Sequence, residues 1–332
     1  MNHRTGGPRS FNTVKRSNRE ERLKRRRQCD RTLVSIFVVF LLLILSAFIL
    51  LVCNVAVGIH NRNHPAEVEE DLPDAPPVEL KFVESSLEYS YRDGELVVVN
   101  KDYSYLTDGE LIVPNDLVEL KAEPNAPYLL SDHKKQYLRS VVVEKLEALL
   151  TDFHQQTQVR LSVHDTYRDK DEQKNQGSSG VGFSEHHTGL VVWFKDVNQS
   201  ELAKLNSICY QYGFIQRYPT YDTATTGVKN YEECFRYVGV AHATYIYNRN
   251  KNSSDDKKLC WEDYVKELRD NHSYQQEHLT VDTNGDNVAD YEIYYVPISE
   301  TDGTAKIPVP VGMSYSVSGD NIGGVIVTVS LT

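Results

Sequence analysis

Gly180-Val-Gly-Phe-Ser-Glu-His-His-Thr-Gly-Leu-Val-Val-Trp-Phe-Lys195 is the stretch on which the fold turns. Its first half is a glycine-containing loop that ends in Ser184, His186 and His187. Its second half is apolar and β-branched from Leu190 onward, as a buried strand is. A loop of this kind sets polar side chains at the mouth of a strand, where a site requires them. If residues 189–195 are extended, Trp193 and Asp196 have opposite parity and point to opposite faces.

On the N-terminal side, residues 134–157 place Tyr137, Leu138, Val141, Val142, Leu146, Leu149 and Leu150 at a helical period. The strand-like Val159-Arg-Leu-Ser-Val follows, and a helix feeding a strand suits an α+β domain. Next comes the polar segment Asp165-Thr-Tyr-Arg-Asp-Lys-Asp-Glu-Gln173. On the C-terminal side, a short helix over residues 202–210 runs into Tyr212-Gly-Phe-Ile-Gln-Arg-Tyr-Pro219. Tyr231-Glu-Glu-Cys-Phe-Arg-Tyr-Val-Gly239 comes after it, with His242 in a further helix.

These blocks, in this order, resemble the VanY-type D-alanyl-D-alanine carboxypeptidases, zinc peptidases that trim peptidoglycan stem peptides. Ser184, His186 and Gly189 match the family signature Ser-x-His-x-x-Gly-x-Ala-x-Asp; Val191 replaces its alanine, and Trp193 stands where the signature has its aspartate zinc ligand. Tyr167, Arg168 and Gln173 match the family's Ser-Gly-Tyr-Arg-Ser segment and the glutamine after it, with Asp165 and Thr166 in place of Ser-Gly. The family's Glu-Pro-Trp-His-Phe-Arg-Tyr-Val-Gly aligns without a gap through Phe235 to Gly239. Tyr231 therefore occupies the position of the general base and Cys234 that of a histidine zinc ligand. The resemblance covers residues 90–270 and implies a small antiparallel sheet flanked by helices. It also implies that Arg168, Ser184 and Gln173 contact substrate.

The same alignment puts hydrolysis in question. A catalytic zinc takes about three protein ligands, and the triad carried over is His186, Trp193 and Cys234. An indole nitrogen is a donor only and cannot bind metal. A tyrosine, with an ordinary pKa of about 10, is a poor base at neutral pH. The expectation is no resident cofactor, with at most a residual His186/Cys234 pair for metal.

Charge is unevenly divided along the 332 residues. Residues 1–31 carry eleven Lys/Arg against three acids, a net of +8, and the rest carries −19 of the total −11. Residues 32–58 contain no charge, and about 20 apolar residues suffice to cross a bilayer. The expected organisation is a basic cytoplasmic tail over 1–31, a transmembrane signal anchor over 32–58 and a Pro/acid-rich linker over 59–80. A β-hairpin module over 81–125 follows, since Asp93-Gly and Asp108-Gly punctuate two near-repeats of alternating Tyr, Leu and Val. The carboxypeptidase-like domain is expected over 126–270 and a β-rich extension over 271–332. In that extension, Asp282-Thr-Asn-Gly-Asp reads as a hairpin turn rather than a calcium loop, because Asn287 and Ile293 stand where such a loop has glycine and glutamate. Cys209 and Cys260 are expected to pair and to leave Cys234 free.

The functional expectation is a single-pass cell-membrane protein with its main domain extracytoplasmic. In this reading it is a pseudopeptidase that binds peptidoglycan stem peptides or a cell-wall enzyme, and not nucleic acid. Two alternatives stay open: an active carboxypeptidase with an atypical zinc shell or a Cys234–His186 nucleophile pair, and a structural membrane-tethered adaptor.

Overall fold

The computed structural model describes residues 80–332 other than 177, 178, 230 and 300–302. The basic tail, the transmembrane segment and all but the last residue of the linker lie outside the described residues. Among the described residues, no helix is long and apolar enough to cross a membrane.

The central sheet has five strands, Tyr128–Leu130 (β1), Leu161–Asp165 (β2), Val191–Lys195 (β3), Phe214–Gln216 (β4) and Cys234–Tyr237 (β5). Their spatial order is β4-β5-β3-β2-β1. Three of the four pairings are antiparallel, but β1 runs parallel to β2, with Tyr128 opposite Leu161. The expected all-antiparallel sheet is thus a mixed one. The parallel pair is possible because the helix Ser140–Thr157 (α1) supplies the long crossover such a pair needs.

α1 buries Val142, Leu146, Leu149 and Leu150 of the periodic face read from the sequence, and Phe153 beside them, against Leu161, Val163, Val192 and Phe194 of the sheet. Each such side chain contributes roughly 1.5–3 kcal/mol when fully removed from water. The helix starts later than the periodicity suggests, because Tyr137–Arg139 forms a short strand against Leu117–Glu119. It ends at Gln158, which takes the left-handed conformation and donates its N–H to the His154 carbonyl. Lys170–Gln176 (α2) and Gln199–Ile208 (α3) follow, the latter opened by a capping box between Asn198 and Glu201. The remaining helices are Thr223–Thr226 (α4), Val240–Asn250 (α5) and Trp261–Asn271 (α6).

The C-terminal residues form a four-stranded antiparallel sheet of Leu279–Val281 (β6), Tyr291–Pro297 (β7), Tyr315–Gly319 (β8) and Gly324–Ser330 (β9), ordered β6-β7-β9-β8. Asp282 closes the β6–β7 turn by accepting the amides of Asn284, Gly285 and Asn287. Asp320 does the same for Ile322, Gly323 and Gly324 between β8 and β9. Of the two near-repeats, only the second closes a hairpin on itself, Leu106–Thr107 against Glu110–Leu111. The first instead pairs Tyr89–Ser90 with Thr304–Ala305, and Phe82–Glu84 pairs with Pro308–Pro310. Leu96 and Val98 share a core with Trp261, Val265, Ile293 and Ile326. Residues 80–332 accordingly form one compact unit.

Candidate functional site

Asp165, at the end of β2, accepts two contacts of 2.7 Å on Oδ2, from Nε and Nη2 of Arg168, and one of 2.8 Å on Oδ1 from Lys134. Burial alone would raise this carboxyl. The facing His186, Arg168 and Lys134 outweigh it and hold Asp165 below its ordinary value. Arg168 Nη1 also reaches Gln173 Oε1 at 3.3 Å, and Gln173 Nε2 donates to the Ser179 carbonyl at 2.9 Å. Gln173 lines the cleft, but both ends of its amide are engaged, so it positions Arg168 rather than standing free for a ligand.

His186 sits in a single 3-10 turn over Glu185–Thr188, not in extended backbone. Ser184 caps that turn by accepting the His186 amide at 3.4 Å. Gly189 leaves it with φ of +66°, and a Cβ there would stand 2.7 Å from Leu117; the position takes glycine for both reasons. The turn sends His187 away from the cleft, to the Arg168 carbonyl and the Gly182 amide, so it supplies no second ligand.

The state of His186 follows from its partners. Its Nδ1 faces the Thr166 carbonyl and must therefore carry the proton. The lone pair then lies on Nε2, which accepts from the Tyr231 hydroxyl at 2.9 Å. Burial, with Arg168 adding to it, pushes the imidazole down to about 3, so it is neutral at neutral pH. Burial also raises Tyr231, with Cys234 adding to it, which keeps the phenol a donor. Cys234 is fully buried and its thiol is pushed up, first by burial and then by Glu185. His186 bonds Tyr231 and not Cys234, so no nucleophile pair is assembled.

Trp193 lies directly opposite Cys234 across the β3–β5 pairing. Its ring stands 4.6 Å from His164 and 5.2 Å from Tyr231, and Tyr231 lies 5.7 Å from Tyr218. These centroid separations are those of packed aromatic side chains. Where the VanY resemblance implies a zinc ion, the residues present do not fit one. His186 has its ligating nitrogen hydrogen-bonded, Trp193 offers no lone pair, and Cys234 is held as a thiol. Among the described residues, the one group of three potential ligands within metal-binding reach is Asp222, Cys260 and Asp263, which contains none of these.

What remains is a cavity of about 280 Å³ lined by Arg168, Ser184, His186, Trp193, Tyr231 and Lys229, among others. Its described lining contains no acid. Arg168, Ser184, Gln173, His186, Trp193 and Tyr231 line this one cavity, while Cys234 is fully buried and does not line it. Cys209 and Cys260 are buried free thiols, so the expected bridge is not formed; Cys260 instead turns its sulfur to the Asp263 carboxylate at 3.3 Å.

One group the sequence reading passed over holds the cleft in place. Glu185, between Ser184 and His186, is 1% exposed and faces inward. Its carboxylate takes Arg217 Nε at 2.9 Å and Arg236 Nη1 on the other oxygen. Arg217 forks onto Glu262 at 3.0 and 2.6 Å, and Arg236 Nη2 donates to the carbonyls of Glu95 and Val97. The available signal was two arginines inside apolar framework blocks, Ile-Gln-Arg217 and Phe-Arg236-Tyr, which need a buried acid.

Comparison with known proteins agrees with this architecture. Residues 135–240 match the family model VanY, D-alanyl-D-alanine carboxypeptidase. A D-alanyl-D-alanine carboxypeptidase of Enterococcus faecium is 27% identical over 286 residues, 81% of this chain and 86% of its own. Another, of Enterococcus faecalis (strain ATCC 700802 / V583), is 37% identical over 92 residues, 25% of this chain and 30% of its own. The crystal structure of the vancomycin resistance D,D-dipeptidase VanXYg in complex with a D-Ala-D-Ala phosphinate analogue superposes with a TM-score of 0.57 at 23% identity. It covers 76% of this chain and 99% of that one, and shares the fold. Residues 135–240 are thus similar to the VanY-type D-alanyl-D-alanine carboxypeptidases, and the fold is one those proteins share. The carboxypeptidase-like domain of this chain carries tryptophan, cysteine and tyrosine at Trp193, Cys234 and Tyr231.

Proposed function

We propose that the chain is a pseudopeptidase that binds the C-terminal end of a peptidoglycan stem peptide without cleaving it. The observation that carries this reading is the 2.9 Å hydrogen bond from the Tyr231 hydroxyl to His186 Nε2, which engages the only intact ligand of the family triad. The ligand class is supported by the family and by the lining: Arg168 and Lys229 are cationic, and no described acid opposes a peptide carboxylate. We place the domain outside the cell on a single membrane anchor at residues 32–58, from the apolar run and the basic flank before it.

The purified protein should contain far less than one zinc per chain and release no D-alanine from stem pentapeptide, yet bind that peptide in calorimetry. Arg168→Ala should weaken binding about tenfold or more, since a charged hydrogen bond contributes roughly 1.5–3 kcal/mol. Stoichiometric zinc with chelator-sensitive D-alanine release would instead establish an active carboxypeptidase. For topology, protease added to intact cells should digest residues 80–332, and their protection would end the anchor reading.

A further inference from the structure

A second cavity, of about 500 Å³, lies at the other end of β5 from the cleft. β5 begins beside the cleft, where Cys234 pairs with Trp193, and ends at Tyr237, which opens on this second space. The volume falls in the range of roughly 300–1,000 Å³ usual for small-molecule sites. Its walls come from residues 93–96, the start of α1, the turn from β5 into α5, and β8, so it exists only because the N- and C-terminal segments close over the carboxypeptidase-like core.

Four features of the lining are unsatisfied within the protein. Tyr237 is 6% exposed and its ring packs edge-on against Phe214, yet its hydroxyl makes no hydrogen bond. The Glu95 carboxylate is half-buried and likewise has no hydrogen-bond donor; burial raises it, and the charge of Arg139 only partly offsets that. Arg139 spends its Nε on Asp116 at 3.0 and 3.1 Å, which leaves both Nη groups unengaged. α5 starts at Gly239, which provides no side-chain cap for the first amides of the helix.

Glu95 and the Nη groups of Arg139 both wait for a partner here, while Lys145 adds a further cation that is shared with the exposed Glu144 at 3.1 Å. A simple anion would meet Glu95 and Asp93, and a simple cation would meet Arg139 and Lys145; each would be repelled by half of the lining. We infer that this cavity binds a small zwitterion, an α-amino acid or a dipeptide. Its ammonium is received by Glu95 and Tyr237, and its carboxylate by Arg139, Lys145 and the open N-terminus of α5. Ion pairs of this type are the stronger hydrogen bonds, and the helix end favours negative charge.

The test is calorimetry of the full-length protein with glycine, L-alanine, L-Ala-L-Ala, the same dipeptide acetylated and amidated at its ends, and N-acetylglucosamine. At least one free zwitterion should bind in the millimolar range or tighter, and the blocked dipeptide about tenfold more weakly or not at all. Glu95→Gln and Tyr237→Phe should each weaken that binding about tenfold, whereas Arg168→Ala, in the cleft, should leave it unchanged. Glu95→Gln should keep or raise the melting temperature at neutral pH. A carboxyl raised by burial favours the fold when protonated and costs stability as pH rises through its folded value, so a neutral amide removes that cost. The inference is overturned if no free zwitterion binds, if the sugar or the blocked dipeptide binds as well as the free one, or if both substitutions leave affinity intact. A drop in the melting temperature of Glu95→Gln would also overturn it, because Glu95 would then be a structural partner.

Discussion

Glu185→Ala is expected to lower the stability of residues 80–332 by about 3–5 kcal/mol, the usual cost of breaking a buried ion pair by removing one member. Arg217 and Arg236 are both 0% exposed, and each would lose its contact with the shared carboxylate. Arg217 would keep Glu262, but Arg236 would be left with two carbonyls and the face of Trp261, 4.8 Å away. Denaturant unfolding, read as a fall in midpoint at constant slope, measures the effect. Because Glu185 lies within the 3-10 turn that carries His186, peptide binding should fall with it. A loss below about 1 kcal/mol, the size of an exposed pair, would show that the four-residue network does not anchor the cleft.

The second large effect concerns the replaced centre. Trp193→Asp, Cys234→His and Tyr231→Glu introduced together should yield a protein that binds zinc and releases D-alanine, whereas each single change should yield none. The physical reason lies in how the present residues interlock. Tyr231→Glu alone frees His186 Nε2 but supplies no other ligand. Trp193→Asp alone leaves the histidine lone pair held by the Tyr231 hydroxyl. Cys234→His alone adds a second imidazole beside an aromatic wall formed by Trp193, Tyr231 and Tyr218, with His186 Nε2 still held by the Tyr231 hydroxyl. A base contributes roughly 10²–10⁴-fold, so the variant with both ligands restored but Tyr231 retained should be slower by at least that factor and should hold metal more weakly, because the Tyr231 hydroxyl still competes for His186 Nε2. Zinc content and D-alanine release, measured on the same preparations, check both halves. Activity from a single reversion would show that the centre is closer to competence than the hydrogen bond to His186 implies.

Tyr231→Phe separates the two roles of that tyrosine. It keeps the ring against Trp193 but strips His186 Nε2 of its donor, and a buried unsatisfied nitrogen costs about 1–3 kcal/mol. The fold should therefore weaken measurably although the aromatic wall is intact.

Several parts of this molecule were written in local patterns. The α1 face was visible as apolar spacing because helix burial depends on residues three and four apart, and Leu146, Leu149 and Leu150 are buried as that spacing requires. The turn at Asp282 was visible because its carboxylate acts on amides only two to five residues ahead. The proposed replacement of the zinc and base positions by Trp193, Cys234 and Tyr231 rests only on the register of contiguous motifs. Other parts depended on partners far along the chain. The parallel β1–β2 pair, the pairing of Tyr89–Ser90 with Thr304–Ala305 and the absence of a Cys209–Cys260 bridge have no local signature. The same holds for the protonation of His186: the sequence supplies the imidazole, but Thr166 and Tyr231, 20 and 45 residues away, decide which nitrogen carries the proton and what its partner does. Sequence by itself determined the resemblance to the VanY-type carboxypeptidases and the buried face of α1, because those rest on short-range spacing. Only the tertiary structure decided the sharing of Glu185 between Arg217 and Arg236 and the closing of a second cavity at Tyr237, because buried charges and cavity walls are satisfied by groups brought together from distant segments.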